Sequence, residues 1–354
     1  MRINKNIIIN VSLALFALAL VFLALELTLR LTVYNFPRYR KSPGPNSTYR
    51  LDELEFKTVV RTNSLNIRDE EILPKKNDEF RILCLGDSYT FGLGVDIEEA
   101  FVTLSEELLN QGRKESKKFN LINGGGPTSS CSCLDFFLDK GLALDPDMLI
   151  FQTYIGNDFY DALLYSNAKA GEADPDFQAQ YDEGIPRVDL LKKIISQQIY
   201  TLDFIWNRLI QIDYIDDLLF RFNFRYGNRA IYLRELPEAE RHAVASQMGC
   251  LQKIKDLCRE RGIRMLLFNI PDKPQVFKRE FFDQRKYDYR NPNQIIKDFC
   301  RDNDIPYLDL LDHYEKLEKE KVAGFYYVKD IHWTKEGHRD AAGVLAGFIK
   351  EALE

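Results

Sequence analysis

The order of apolar and polar residues along the chain predicts short buried strands that alternate with helices. Five apolar runs have the length and composition of strands: residues 81–86, 119–123, 147–154, 264–270 and 305–310. Segments between them, such as 100–111 and 239–261, have helical spacing, and Gly262 ends the second one. Such an alternation indicates a parallel sheet covered on both faces. We therefore expect functional residues where the strands end, along the carboxyl edge of the sheet.

A longer apolar run near the amino terminus, residues 7–25, has only Asn10 and Ser12 as polar interruptions. A helix of this length spans about 28 Å, close to the roughly 30 Å hydrocarbon core of a bilayer. The run predicts a membrane anchor; a cleaved signal peptide is the alternative, but no small-x-small cleavage site follows. Glu26 and Arg30 lie four residues apart and can pair at the membrane interface.

The chain divides into three parts by composition. Residues 1–33 hold the predicted anchor, residues 34–80 are a tether and N-terminal extension rich in proline and charge, and residues 81–354 form the α/β domain. Within the domain, residues 160–238 are an aromatic-rich insert with helical spacing. An extra packed helical layer is the favoured interpretation of this insert. A lid is one alternative, and a surface that lies against the membrane through Trp206, Tyr214 and Phe220 is another.

Composition and charge exclude several classes of protein. With 354 residues, 45% hydrophobic residues and 29% charged residues, the chain is an ordinary globular protein. A net charge of -6 gives no basic face for nucleic acid. The six cysteines are not spaced as a disulfide framework, and most of them are expected to be buried thiols. Four scattered histidines disfavour a structural zinc site.

Polar and glycine-rich stretches follow the predicted strands where chemistry would be expected. Ser88 comes directly after the first strand, "NGGG" ends the second, and Asn157 follows the third. Asp330 and His332 lie two apart before a helix, so the carboxylate can hold one imidazole nitrogen while the other faces a nucleophile. Each stretch alone is typical of a turn or a helix cap. Their occurrence together, in the order of strand ends, favours a serine nucleophile.

Four blocks, "GDSYTFG", "NGGG", "GND" and "DIHW…GH", follow one another over residues 80–354. In this order they resemble the SGNH hydrolases, the GDSL lipase/esterase superfamily. The resemblance implies a flavodoxin-like three-layer α/β/α sandwich with a central parallel sheet of about five strands. It also implies that Ser88 is the nucleophile, His332 the base and Asp330 its orienting acid.

The resemblance further implies an oxyanion hole formed by the backbone N–H groups of Ser88 and Gly125 and by the side chain of Asn157. One departure from the family pattern is Ile155, which occupies a position where many members have glycine. A second is the sequence D-x-H-W-T in place of D-x-x-H, which resembles the polysaccharide O-acetyltransferase branch. Anchored members of that branch imply a catalytic domain on the periplasmic or extracytoplasmic side, although the basic residues flanking the apolar run argue for the opposite orientation.

These features predict a membrane-anchored serine esterase or O-acyltransferase that works through an acyl-enzyme. The expected substrate is an acyl ester, in particular an acetyl ester of a cell-envelope polysaccharide, and this chemistry needs no metal or organic cofactor. A lipase or lysophospholipase at the membrane surface is the main alternative within enzymes. A non-catalytic anchored module that binds glycan is the alternative from another class.

Overall fold

The computed structural model describes residues 5–32, 44–53, 55–112, 118–126, 130–170, 200–222, 229–328 and 330–354. Its strands are β1 (Thr48–Asp52), β2 (Lys57–Arg61), β3 (Glu79–Gly86), β4 (Lys118–Gly125), β5 (Met148–Tyr154), β6 (Arg264–Ile270) and β7 (Tyr307–Asp309). Its helices are α1 (Lys5–Thr32), α2 (Ser88–Phe91), α3 (Phe101–Asn110), α4 (Cys133–Asp139), α5 (Asp158–Ala170), α6 (Tyr200–Leu209), α7 (Asp213–Arg221), α8 (Glu238–Arg261), α9 (Lys273–Phe277), α10 (Asn291–Asp302), α11 (Leu310–Tyr314), α12 (Lys319–Ala323) and α13 (Lys335–Leu353).

The central sheet has five parallel strands in the order β4-β3-β5-β6-β7. Counted along the chain, this is the second, first, third, fourth and fifth strand of the sheet, the flavodoxin-like order. The five apolar runs each form one of these strands, which confirms the predicted fold class. The strands are buried on both faces, so their sequences are almost continuously apolar.

Alternate residues of the strands enter two separate cores, one on each face of the sheet. Leu85 and Phe151 pack with residues of α4, α5, α8 and α10 in one core. Cys84 and Phe268 pack with residues of α3, α11 and α13 in the other. The result is a three-layer α/β/α sandwich. All six cysteines are buried free thiols, as the sequence predicted.

Helix α1 includes a candidate membrane span, Ile9–Leu31, that is long and apolar enough to cross a bilayer. The predicted pair is present, since Arg30 Nε donates to Glu26 Oε1 at 2.9 Å. The other carboxylate oxygen of Glu26 accepts the backbone N–H and the hydroxyl of Thr201 in α6, at 2.7 and 2.8 Å. The end of the apolar helix therefore contacts the insert.

Most of the described insert is helical, in α5, α6 and α7, and residues 171–199 and 223–228 lie outside the described residues. Phe220 is fully buried and packs against Phe281 and Phe282, so its predicted alternative position at the membrane interface is wrong. Phe220 belongs to the same apolar cluster as residues of α5 and α8, and the packed-layer interpretation of the insert stays a prediction. Tyr214, in contrast, is 75% exposed.

The described part of the predicted tether packs against the domain. Strands β1 and β2 form an antiparallel hairpin, with Tyr49 paired to Val60. Val60 is fully buried, and Arg68 after the hairpin is 1% exposed. The division of the chain at residues 33 and 80 stays a prediction, and residues 33–43 lie outside the described ones.

Candidate active site

The serine of the first block lies in a turn that is held from two sides. Ser88 begins α2 immediately after β3, and the Asp87 side chain caps the helix by accepting the N–H of Tyr89 at 2.9 Å. On β5, Gln152 Oε1 accepts the N–H of Asp87 at 3.1 Å. A Cβ atom at Gly86 would lie 2.3 Å from that same oxygen, so only glycine fits there. The turn thus presents Ser88 at the carboxyl edge of the sheet.

The structure brings Ser88, His332 and Asp330 together. The Ser88 hydroxyl oxygen lies 2.6 Å from Nε2 of His332, at hydrogen-bond distance. On the other side of the ring, Nδ1 of His332 contacts Asp330 Oδ1, which also accepts the backbone N–H of His332 at 2.9 Å. Burial acts to raise the pKa of Asp330, but the hydrogen bonds from His332 outweigh it and the pKa is lowered. A carboxylate, an imidazole and a hydroxyl connected in this order have the arrangement of a Ser-His-Asp triad.

Two aromatic residues that sequence reasoning missed support His332: Tyr89 lies against its ring, and Trp333 packs against Tyr89. The Tyr89 ring lies 5.1 Å from the His332 ring, and its hydroxyl donates to the carbonyl oxygen of Ile331 at 2.5 Å. The fully buried Trp333 packs edge-on against Tyr89, with ring centroids 4.8 Å apart. These contacts fix the histidine beside the serine. The sequence signal that could have indicated Tyr89 and Trp333 was their apolar context in the first and last blocks.

Asn157 follows β5, which neighbours β3 in the sheet. Its amide Nδ2 donates to Asp161 Oδ2 at 2.7 Å, whereas its Oδ1 is buried with no partner among the described residues. One N–H of the amide is therefore bound to Asp161, which leaves the second N–H to donate to another acceptor. Burial raises the pKa of Asp161 to about 6, against the lowering effect of the Asn157 hydrogen bond. Nothing in the sequence distinguishes Asp161 beyond its position four residues after Asn157.

Gly125 ends β4 and pairs with Gly86 at the end of β3. Its N–H donates to Asn123 Oδ1 at 3.0 Å. A Cβ atom at position 125 would lie 2.2 Å from the backbone nitrogen of Phe91, so glycine is required for the close approach of β4 to α2. The role of Gly125 as an oxyanion donor stays a prediction, since its N–H already has a partner.

One cavity in the described part of the protein lies away from this site. A volume of about 910 Å³ lies beside the edge strand β4 and is lined by charged residues that include Arg61, Asp69 and Glu106. Neither Ser88 nor His332 lines it. The candidate active site is therefore the hydrogen-bonded set of Ser88, His332 and Asp330.

The comparisons with known proteins concern the family and the fold. Residues 232–354 match the family model described as "SGNH hydrolase-like domain, acetyltransferase AlgX". None of the curated proteins matches the chain.

Several solved structures are similar over most of their length. TesA has 12% sequence identity, with 77% of this chain and 98% of that one covered and a TM-score of 0.43. A lipase/acylhydrolase from Enterococcus faecalis has 13% identity, 77% and 96% coverage and a TM-score of 0.43. The acetyl xylan esterase AlAXEase has 14% identity, 77% and 100% coverage and a TM-score of 0.41.

The family match covers the part of the chain that contains Asp330 and His332, and the sheet places Ser88 within hydrogen-bond distance of that histidine. Over residues 232–354 the chain is therefore similar to an SGNH hydrolase-like domain.

Proposed function

We propose that this protein is a serine-dependent ester hydrolase or O-acyltransferase that works through an acyl-enzyme on Ser88. The observation that carries the proposal is the 2.6 Å contact between Ser88 Oγ and His332 Nε2, with Asp330 on the opposite ring nitrogen. A binding module has no need of this connected set. The geometry therefore favours catalysis over the glycan-binding alternative.

In the first half of the reaction, His332 Nε2 takes the hydroxyl proton as Ser88 Oγ attacks the ester carbonyl carbon. The carbonyl π electrons move to oxygen and form a tetrahedral oxyanion, while Asp330 stabilises the imidazolium. Collapse of the intermediate breaks the ester C–O bond, and the His332 proton passes to the leaving alcohol. The acyl group is then bound to Ser88.

In the second half, a water molecule or a sugar hydroxyl attacks the acyl-enzyme. His332 accepts its proton, and collapse of the second intermediate returns the proton to Ser88 and releases acid or a new ester. Water gives hydrolysis, and a sugar gives transfer. Which of the two occurs is set by the acceptor that reaches the site.

The oxyanion needs donors that are in place before the reaction, and we assign the Ser88 N–H and the second N–H of the Asn157 amide to this role. The contact of Asn157 with Asp161 supports the assignment because it holds the amide plane in one orientation. Gly125 would serve as the third donor only by exchanging its hydrogen bond with Asn123.

We further propose that the acyl group is acetyl and that the natural substrate is a cell-envelope carbohydrate. The D-x-H-W-T sequence at residues 330–334 and the match to an acetyltransferase domain over 232–354 support this assignment. The apolar span Ile9–Leu31 would anchor the domain on the extracytoplasmic side of the membrane.

The test uses the full-length protein in detergent with p-nitrophenyl acetate as substrate. Ser88→Ala, His332→Ala and Asn157→Ala are each expected to lower turnover by about 100-fold or more. His242→Ala, an exposed histidine on α8, is the control and should retain turnover. Full activity in the Ser88→Ala protein would contradict the mechanism.

The same preparation separates the substrate classes. An acyl-chain series is expected to favour acetate, and an acetylated oligosaccharide should appear by mass spectrometry when a carbohydrate acceptor is added. Preference for long-chain esters would replace the carbohydrate with a lipid substrate.

A further inference from the structure

We infer that Glu55, in the N-terminal hairpin, is a positioning residue for the Asp330–His332 pair. The segment that joins the apolar helix to the domain would then complete the active site. This inference rests on the proposed function, and it concerns a residue outside all four sequence blocks.

The described residues of the loop that carries Asp330, 327–328 and 330–332, lie in no helix or strand. Tyr326 and Trp333 pair across its base, and the N–H of Tyr327 donates to the carbonyl oxygen of His332 at 3.1 Å. Between these points the N–H groups of Val328 and Asp330 are bound by a side chain from outside the loop. The position of Asp330 therefore depends on the groups that bind this loop.

Glu55 binds the loop with both carboxylate oxygens. Its Oε1 accepts the N–H of Val328 and its Oε2 accepts the N–H of Asp330, each at 2.8 Å. Hydrogen bonds to a carboxylate are shorter and stronger than those between neutral groups. The second contact is made to the backbone N–H of Asp330, the residue whose carboxylate touches His332.

Lys273, at the start of α9, holds the same loop through its carbonyl groups. Its Nζ donates to the carbonyl oxygen of Asp330 at 2.7 Å and also contacts those of Tyr327 and Val328. The residue is only 4% exposed. The N–H of Asp330 is thus bound by an anion and its C=O by a cation, which fixes the backbone at this residue.

The hairpin that presents Glu55 is itself attached to the loop after Ser88. Phe56 packs on the ring of Tyr327 at 5.2 Å, and the Thr58 hydroxyl donates to the carbonyl oxygen of Val95 at 2.8 Å. The buried Arg68 donates to the carbonyl oxygens of Gly92 and Val95 at 2.6 and 2.7 Å. One N-terminal segment therefore contacts the elements on both sides of the Ser88–His332 hydrogen bond.

The experiment compares Glu55→Ala and Glu55→Gln with the unaltered full-length protein in detergent. Glu336→Gln, an exposed carboxylate in the first turn of α13, is the matched control. Glu55→Ala is expected to lower kcat for p-nitrophenyl acetate by about 10-fold to 100-fold, because misplacement of about 1 Å has that effect. Glu55→Gln keeps one acceptor oxygen and should show a smaller loss.

Three further readouts separate positioning from general stability. The KM should change by less than about twofold, since Glu55 acts on the triad and not on ground-state binding. The rate at which a fluorophosphonate labels Ser88 should fall in parallel with kcat. The downfield proton resonance of the His332–Asp330 hydrogen bond should weaken or disappear.

The outcomes distinguish this inference from the proposed function. If the unaltered protein is active and both Glu55 variants equal it in kcat and in labelling rate, the inference alone is overturned. A rise in KM with unchanged kcat also overturns the inference alone. If the unaltered protein neither hydrolyses the ester nor reacts with the probe, the proposed function is overturned and the inference with it. If Glu55→Ala lowers the unfolding midpoint, the kcat and the labelling rate of the size-preserving Glu55→Gln variant decide whether the inference stands.

Discussion

Ser88 Oγ and His332 Nε2 lie 2.6 Å apart although 244 residues separate them in the chain. Ser88 is fixed at the end of β3 by the Asp87 cap, and His332 lies just before α13, whose first turn is capped by Thr334. The two residues meet because both elements border the carboxyl edge of the same parallel sheet. The contact is therefore a property of the fold as a whole, and it can be tested through the groups around it.

The first prediction concerns the pH dependence set by Asp161. Burial raises its pKa to about 6, so its carboxylate is ionised at pH 8 and takes up a proton as the pH falls toward 5. Protonation removes the charge from the hydrogen bond that orients Asn157. Asp161→Asn keeps an acceptor oxygen but does not titrate. We expect its kcat to be roughly fivefold below the unaltered value at pH 8, from about 1 kcal/mol of lost charge assistance.

The ratio of variant to unaltered kcat should rise as the pH falls through 6. The ratio removes any pH effect that both proteins share. Asp139→Asn, at an exposed carboxylate on α4, should give a ratio near one at every pH. A ratio for Asp161→Asn that does not vary with pH would show that Asp161 does not act on Asn157 through its charge.

The second prediction concerns the close approach at Gly125. Gly125→Ala would place a Cβ atom 2.2 Å from the backbone nitrogen of Phe91 in α2. Backbone cannot move aside without moving Ser88, so we expect a loss of about 1–3 kcal/mol in the free energy of unfolding together with lower activity. Gly343→Ala in α13 is the control because nothing lies within 4 Å of its added Cβ. Chemical denaturation measures the free energy of unfolding of both variants. Equal stability of the two variants would contradict this packing argument.

The third prediction concerns His338, which is fully buried in α13 and accepts the N–H of Phe101 at Nδ1. Burial lowers the pKa of His338 to about 3, whereas an unfolded histidine titrates near 6.5. As the pH falls below about 6.5 the unfolded chain binds the proton first, so folded stability decreases by up to about 1.4 kcal/mol per pH unit until about pH 3.

His338→Gln removes this titration. Between pH 6.5 and pH 5 the unaltered protein should lose about 2 kcal/mol more unfolding free energy than the variant. His242→Gln, at an exposed position on α8, should behave as the unaltered protein. Parallel pH profiles for His338→Gln and the unaltered protein would exclude a neutral buried His338.

The sequence patterns predicted the sheet well because parallel strands buried on both faces must be apolar along their whole length. Each of the five predicted runs forms a strand, and Gly262 ends α8 in the left-handed conformation that favours glycine. The proximity of Ser88, Asp330 and His332 could also be predicted, because the topology brings the strand ends to one edge of the sheet. For Phe220, helical periodicity could not distinguish a buried aromatic residue from one at a membrane surface.

The residues that hold the triad could not be predicted in the same way. Glu55 and Lys273 bind backbone groups of a distant loop. Backbone donors and acceptors are the same for nearly every residue type, so the sequence does not show which of them are bound. Asp161 resembles any acidic residue in the first turn of a helix. The N-terminal hairpin was predicted as a tether because its proline-rich and charged surroundings dominate the local composition.

The most direct test of the central claim is covalent labelling of the full-length protein with a fluorophosphonate, followed by peptide mass spectrometry. The probe reacts with a serine only when a base has activated its hydroxyl. Labelling therefore tests whether His332 activates Ser88. We predict a single adduct on Ser88 that is lost in Ser88→Ala and strongly reduced in His332→Ala. No adduct on Ser88 at any pH at which the protein remains folded would contradict the account.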